Sequence, residues 1–479
     1  MNEKKIIGRE AECARLKECV ESSSAELVIV YGRRRVGKTY LINNYFDNNF
    51  AFKITGRYNC SKQEQLEVFA GEYMRKTKQK ERPVLKRWMD AFNLLRDYLE
   101  SLDIRKRQVV FFDEMPWLDT QKSDFLSVFE WFWNDWASTR DNLIFIVCGS
   151  ATSWMDEKIA SNKGGLFNRE TCKLFLKPFN LHETELFLMS KGISWSRYEI
   201  AECYMIMGGI PCYLDTLSRS TGLKQNIDRV FFSESGELRD EFQHLYATLF
   251  TNSPDYIRIV EILSRKNRGM TRKELAEASG SPENGRLTTI LRDLELSGFI
   301  RASRFYRKKR NGIIYSLSDY YTSFYFRYLG KRGNDEHQWS NSIDSPSKRA
   351  WSGYAFESLV RDHIREVKQR LGISGVLSEE YSWSKKGDET GPGAEIDLII
   401  DRRDDTVNLC EIKYSTGEYV IDKSYDLTLR NKIEAFRMSE RKSKSIQLTM
   451  ITSFGLRRNM YSGIVLNEVV LDDLFVPVR

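Results

Sequence analysis

The segment "ELVIVYGRRRVGKTYLINNYF" constrains this chain more than any other. A strand-length apolar run ends at Tyr31 and leads into Gly32, four residues, then Gly37, Lys38 and Thr39, followed by a run with helical pattern. This is the spacing G-x-x-x-x-G-K-[ST] in its strand-loop-helix context. Glycines at those two places let backbone N–H groups close around phosphate oxygens. Lys38 is placed to reach the β and γ phosphates, and the Thr39 hydroxyl to ligate Mg²⁺. The order predicts a parallel sheet with crossover helices and a nucleotide as ligand.

Mg²⁺ on such a loop needs an anionic partner, and hydrolysis needs a polarised water. "QVVFFDE" supplies both at the end of a buried strand, with Asp113 for the metal and Glu114 for the water. The next apolar run, "NLIFIVCGS", ends at Ser150, which either touches the γ-phosphate or the water, or is a strand-ending turn serine. Arg169, in "GGLFNRETCKLFLKPF", either reaches a phosphate of its own or a neighbouring subunit or is a solvated surface charge. The aromatic cluster "FEWFWNDWA" reads as core packing rather than a base-stacking platform.

"IIGREAECARL", the phosphate loop, "VVFFDE", "CGSATSWM", "LKPF" and "GGIPCYL" follow one another in the order found in the AAA+-like, STAND-related ATPases of archaea and bacteria. Residues 1 to about 250 resemble that family. The resemblance implies ATP and Mg²⁺ as cofactors and ATP hydrolysis as the activity. It also implies that Arg9 and Pro211, in the opening Gly-Arg-Glu segment and the Gly-Ile-Pro turn, help to hold the adenine.

The expected fold class is multidomain α/β: a P-loop NTPase parallel sheet over 1–173 and a helical lid over 174–250, with further domains behind them. Over 251–330, three short helices and a hairpin stand in the order of a winged helix-turn-helix. In its third helix, "ENGRLTTILRDLELSGFI", Leu287, Ile290, Leu291, Leu294 and Leu296 fit a buried face. Arg286, Thr288, Thr289 and Arg292 fit an outward face able to enter a major groove. The wing, residues 301–310, holds six Lys or Arg and no acid, which suits phosphate contacts. Double-stranded DNA is the expected partner, and protein contact is the alternative use of such a module. Residues 331–350 are polar and aperiodic and read as a linker.

Residues 351–479 pair a helix, "AFESLVRDHIREVKQRL", with two strands that carry charge: "EIDLII" and "VNLCEIKY". Asp397 shares a strand face with Glu395 and Ile399, while Glu411 and Lys413 share one face of the next strand. Paired as a hairpin, the strands bring Asp397 to Glu411 and Lys413, with Glu357 on the preceding helix. Two carboxylates can hold a divalent ion on a scissile phosphate while a lysine orients water. The same charges can equally be a satisfied ion pair. The constellation resembles the restriction-endonuclease-like, PD-(D/E)xK, fold, with Ile396 in place of the motif's proline. That likeness implies Glu357, Asp397, Glu411 and Lys413 as nuclease residues, with Asp397 and Glu411 as metal ligands, or else an inactive descendant of the fold.

Composition narrows the remaining classes. Eight cysteines never fall at C-x-x-C spacing and only four histidines are present, so no zinc site is readable. No apolar run approaches a bilayer span and the opening residues lack a signal-peptide core, which predicts a cytoplasmic protein without membrane contact. A formal charge of +7 is spread over 74 basic and 67 acidic residues, so local clusters carry the information. Homo-oligomer formation is an open expectation.

Overall fold

The computed structural model describes residues 6–160, 169–250, 252–266, 268–307, 312–330, 335–342, 345–387, 393–440 and 444–478. The chain divides into two units, Met1–Pro178 and Phe179–Arg479.

In the first unit the strands are β1 (Glu26–Tyr31), β2 (Phe52–Thr55), β3 (Gln108–Asp113), β4 (Leu143–Gly149) and β5 (Cys172–Phe175). They form one sheet in the order β2-β3-β4-β1-β5, parallel throughout. Parallel strands covered on both faces read as continuous apolar runs, and every residue of β4 is buried. α1 (Glu10–Glu21) precedes β1, and crossovers are made by helices, among them α2 (Lys38–Tyr45), α3 (Lys62–Thr77), α4 (Trp88–Glu100) and α5 (Phe125–Asp135), with a short α6 (Thr152–Met155) after β4. The start of α3 is set by a capping box. The Ser61 hydroxyl accepts the Glu64 N–H at 3.3 Å, and the Glu64 carboxylate accepts the Ser61 N–H at 2.7 Å. The expected aromatic packing is present: Phe129, Phe132, Trp133 and Trp136 of "FEWFWNDWA" lie in the core with Phe92 of α4 and Phe112 of β3.

The second unit begins with α7 (Leu181–Ser190), α8 (Arg197–Met207), α9 (Pro211–Leu214), α10 (Leu223–Ile227) and α11 (Glu241–Leu249). These helices, expected as a lid belonging with the parallel sheet, fall in the second unit. Then come α12 (Ser253–Ser264), β6 (Met270–Thr271), α13 (Arg272–Ser279), α14 (Gly285–Leu296), β7 (Ile300–Arg304) and β8 (Ile313–Leu317), with the strands in an antiparallel sheet of order β6-β8-β7.

After α15 (Tyr320–Phe324) the segment expected as a linker is only partly described, and residues 331–334 and 343–344 lie outside the described residues. Its described part carries α16 (Gln338–Asn341) and the start of α17 (Pro346–Asp362). Trp339 explains why this polar stretch is not a loose spacer. It is buried among Phe324, Tyr328 and Trp351, with the Lys348 ammonium 3.9 Å from its ring centroid. The Asp228 carboxylate accepts the Trp339 and Ser340 N–H groups.

The chain closes with α18 (Ile364–Arg370), β9 (Ser378–Lys385), β10 (Ala394–Arg402), β11 (Thr406–Lys413), α19 (Lys423–Ser439), β12 (Ser445–Thr452) and β13 (Asn467–Val470). The sheet order is β13-β12-β11-β10-β9, antiparallel from β9 to β11 and parallel from β11 to β13. No helix among the described residues is long and apolar enough to cross a membrane.

Candidate functional site

The loop between β1 and α2 holds its lysine inward. Lys38 is 5% exposed, and its ammonium donates to the carbonyl oxygens of Gly32 at 3.0 Å and Arg33 at 2.8 Å. Burial pushes this ammonium below its usual pKa, against the pull of nearby negative groups that include Glu114 and Asp113. Gly32 has φ 144° and lies against β5's exit: a Cβ there would stand 2.3 Å from the Leu176 carbonyl oxygen. Gly37 has φ 89° with open space around it, so its requirement is conformational rather than steric.

The Thr39 hydroxyl donates to the Asp113 carboxylate, at 2.9 and 3.1 Å from its two oxygens. β3 brings this buried acid to the head of α2. Hydroxyl and carboxylate oxygens are the ligand types Mg²⁺ prefers, so the pair fits the ion expected from the sequence. Next in the chain, Glu114 has a left-handed backbone, φ 46°. Its carboxylate is clamped by Ser150, whose hydroxyl donates at 2.7 Å and whose N–H donates at 3.2 Å. Ser150 therefore touches the acid rather than closing an idle turn.

Arg9 is buried, also in a left-handed conformation, and donates to the carbonyl oxygens of Lys177 at 2.8 Å and Val36 at 3.1 Å. It ties the phosphate loop to the segment after β5. Arg169 is exposed in the turn before β5. Pro211 opens α9 in the second unit, beside a turn latched by Phe179, whose N–H donates to the Gly209 carbonyl at 2.6 Å. The motifs "LKPF" and "GGIP" thus meet through their backbones.

In the second unit α14 presents Arg286, Thr288, Thr289 and Arg292 at the surface and buries Leu287, Ile290, Leu291 and Leu294. The hairpin behind it behaves differently from a free basic wing. The Tyr306 N–H donates to the Ser382 carbonyl at 3.0 Å, and the Tyr306 ring packs on Tyr381 and Phe436. Arg301 pairs with Asp362, and Arg307 with Glu440 at 3.0 Å. Part of the expected phosphate-binding charge is committed to carboxylates of the same unit, because the hairpin end docks on β9. Lys308, Lys309 and Arg310 lie outside the described residues.

β10 and β11 pair as expected, and the register that sets Leu398 opposite Cys410 brings the acids together. The Asp397 carboxylate accepts the Ile412 N–H at 2.8 Å, and the Lys413 ammonium stands 3.5 Å from Asp397 and 3.6 Å from Glu411. Glu357, on α17, lines a cavity of about 720 Å³ together with Arg268, Arg301, Arg361, Trp383 and Asp397. Its carboxyl is pushed up to about 8, first by burial and then by Asp397.

Three residues here were not singled out in the sequence. Lys432 places its ammonium 2.7 Å from both oxygens of Glu411, the Tyr425 hydroxyl donates to the same carboxylate at 3.0 Å, and Arg361 donates to the Asp397 carbonyl. The signal for Lys432 was its position: Tyr425, Leu429, Lys432 and Phe436 share one stripe of α19, and Leu429 and Phe436 are fully buried. A lysine on a core stripe has a partner beneath it. Among the described residues no group of three or more His, Cys, Asp or Glu side chains is placed to hold a metal ion. With Glu411 taken by Lys432, the Asp397 and Glu411 pair does not fit a divalent ion in this arrangement.

Residues 6–217 match the family model of an ATPase domain predominantly from Archaea. An uncharacterised protein of Methanocaldococcus jannaschii is 26% identical over 452 residues, covering 92% of this chain and 93% of its own length. Among solved structures, a Walker-type ATPase of Pyrococcus abyssi aligns at 19% identity and TM-score 0.47, over 67% of this chain and 96% of its own. The ORC2 protein of Aeropyrum pernix, in ADPNP and ADP complexes, aligns at 14% and 0.43, over 75% and 96%. The domain match falls on the loop, acids and parallel sheet described above, and these residues carry a P-loop ATPase domain.

Proposed function

We propose, starting from that ATPase domain, that the chain binds and hydrolyses ATP with Mg²⁺ and uses nucleotide state to control DNA engagement by its second unit. The observation that carries the hydrolytic part is the Thr39 hydroxyl on the Asp113 carboxylate, one residue before Glu114. Lys38 and the loop N–H groups would hold the β and γ phosphates, and Thr39 with Asp113 would hold Mg²⁺. The ion supplies neutralisation of phosphate charge when bound. Glu114 is the base that orients the attacking water, and Ser150 restrains it until the clamp opens.

DNA engagement is assigned to the module of three helices and antiparallel sheet, read as a winged helix, through the exposed face of α14. The docked hairpin makes α14 the principal contact. Residues 351–479 are read as a nuclease-like fold. The ammonium of Lys432 on Glu411 favours a form of that fold that regulates rather than cleaves, and no metal-dependent step is derived from it.

The test is ATP turnover and duplex binding by the full chain. Wild type is expected to turn over ATP and to bind duplex DNA differently with and without nucleotide. Lys38→Ala should lose nucleotide binding, and Glu114→Gln should keep it while losing about 10²- to 10⁴-fold in kcat. Undiminished turnover by Lys38→Ala would refute the ATPase assignment. Duplex binding that ignores both nucleotide and salt would refute the coupling.

A further inference from the structure

We infer that Lys432 is the resident cation of Glu411, one of the two acids that a nuclease-like site would use to hold a divalent ion, and that it keeps this site free of metal. The inference deepens the nuclease-like reading of residues 351–479 and rests on it for the identity of the excluded ion.

The argument begins with Glu411, which is 1% exposed. A buried carboxylate must be paired and hydrogen-bonded, and it offers about four acceptor directions over two oxygens. Lys432 takes one on each oxygen at 2.7 Å, Tyr425 takes a third at 3.0 Å, and Lys413 stands at 3.6 Å on the side of Asp397. Tyr425 and Lys413 both lie on Oε2, and an ion held by both oxygens of Glu411 would have to displace Lys432. Asp397 is partly spent as well, since one of its oxygens accepts the Ile412 N–H.

Charge gives the same result. The carboxylates of Asp397 and Glu411 face the cations of Lys413 and Lys432, with the Arg361 guanidinium beside Asp397. A divalent ion would add two positive charges where cations already stand on both acids, which is unfavourable in a partly desolvated site.

The donor is also held in place. α19 is fixed at its start by the Asp422 side chain, which accepts the Tyr425 N–H at 2.7 Å, and along its length by the buried Leu429 and Phe436. Tyr425 and Lys432 project from the same stripe, two turns apart, so the helix presents both donors to one carboxylate. Admitting an ion means swinging the lysine away or moving α19.

The experiment measures Mn²⁺ binding to the nucleotide-free full chain by the electron paramagnetic resonance of free Mn²⁺. Every arm carries Thr39→Ala to silence the phosphate-loop site. With Lys432 in place, no Mn²⁺ site should be present that Asp397→Asn removes. Lys432→Met should bind Mn²⁺ about tenfold or more tighter, the range seen when a neighbour tunes a metal site, and should lose that site again with Asp397→Asn. Lys432→Arg, which keeps the charge, should bind no better than the parent. A Mn²⁺ site already present with Lys432 intact and removed by Asp397→Asn would overturn the inference, as would a Lys432→Met chain that folds and gains nothing.

Should Lys432→Met fail to fold, the parent chain still decides. A thermal transition raised by Mn²⁺ and insensitive to it in Asp397→Asn counts against the resident lysine, and one that Mn²⁺ does not move supports it. Strand scission separates the two readings. A Lys432→Met chain that binds Mn²⁺ and cuts DNA shows that the lysine alone silences a nuclease, whereas one that binds Mn²⁺ and leaves DNA intact refutes a latent nuclease while this inference stands.

Discussion

Ser150 had two readings in the sequence, a contact to phosphate or water and an idle turn, and its position against Glu114 suggests a third role: restraint. Its hydroxyl and N–H both donate to the acid that would orient water. Ser150→Ala is expected to raise ATP turnover by up to about tenfold, the scale of one hydrogen bond to a charged group. Steady-state kinetics without DNA would show it, and a fall in kcat would assign the serine to substrate instead. Glu357 carries a different prediction. Its folded pKa, about 8, lies above the ordinary 4.5, so between those values the folded chain holds more proton than the unfolded one. Its contribution to stability is therefore full below the unfolded value and lost as pH rises through the folded one. Glu357→Gln should flatten the loss of denaturant resistance between about pH 5 and about pH 8.5. An unchanged slope would place the titration elsewhere.

Among the elements, the phosphate loop depends on its neighbour strand as much as on its own motif. Gly32→Ala would drive a Cβ into the Leu176 carbonyl and strain a φ of 144°. A loss of about 2–4 kcal/mol in the first unit is expected, measured by denaturant unfolding, where Gly37→Ala should cost less because nothing crowds it. The elements most visible in the sequence were those with a single environment along their length. β1, β3 and β4 are continuous apolar runs because both faces of the sheet are covered. β2 and β5 are four-residue edge strands with alternating burial and gave no such run. The hairpin of β7 and β8 showed its charge but not its use. Arg301 and Arg307 find Asp362 and Glu440, acids 61 and 133 residues away in the chain.

For the molecule as a whole, the proposed DNA contact belongs to α14, and its signature is salt dependence. Arg286→Ala and Arg292→Ala should each weaken duplex binding across sequences and reduce the slope of log K against log salt by about 1. Binding that keeps its slope in the double variant would move the contact to another face. Arg286 is now paired with Asp255, so its share would come with the breaking of that pair.

What the sequence determined by itself was local and periodic. The strand, loop and helix around Lys38, the acids ending β3, and the heptad-like burial of α14 follow from spacing, and neighbours along the chain are enough to specify them. The tertiary structure decided which charges are satisfied and by whom. Ser150 on Glu114, Arg9 on the Val36 and Lys177 carbonyls, and Lys432 on Glu411 are pairings across 36, 27 and 168, and 21 residues. Sequence spacing cannot rank partners at such separations, because burial rather than proximity along the chain sets the cost of leaving a charge alone. The acids near the carboxyl terminus were legible as a site. That a lysine stands on one of them was decided by the packing of α19.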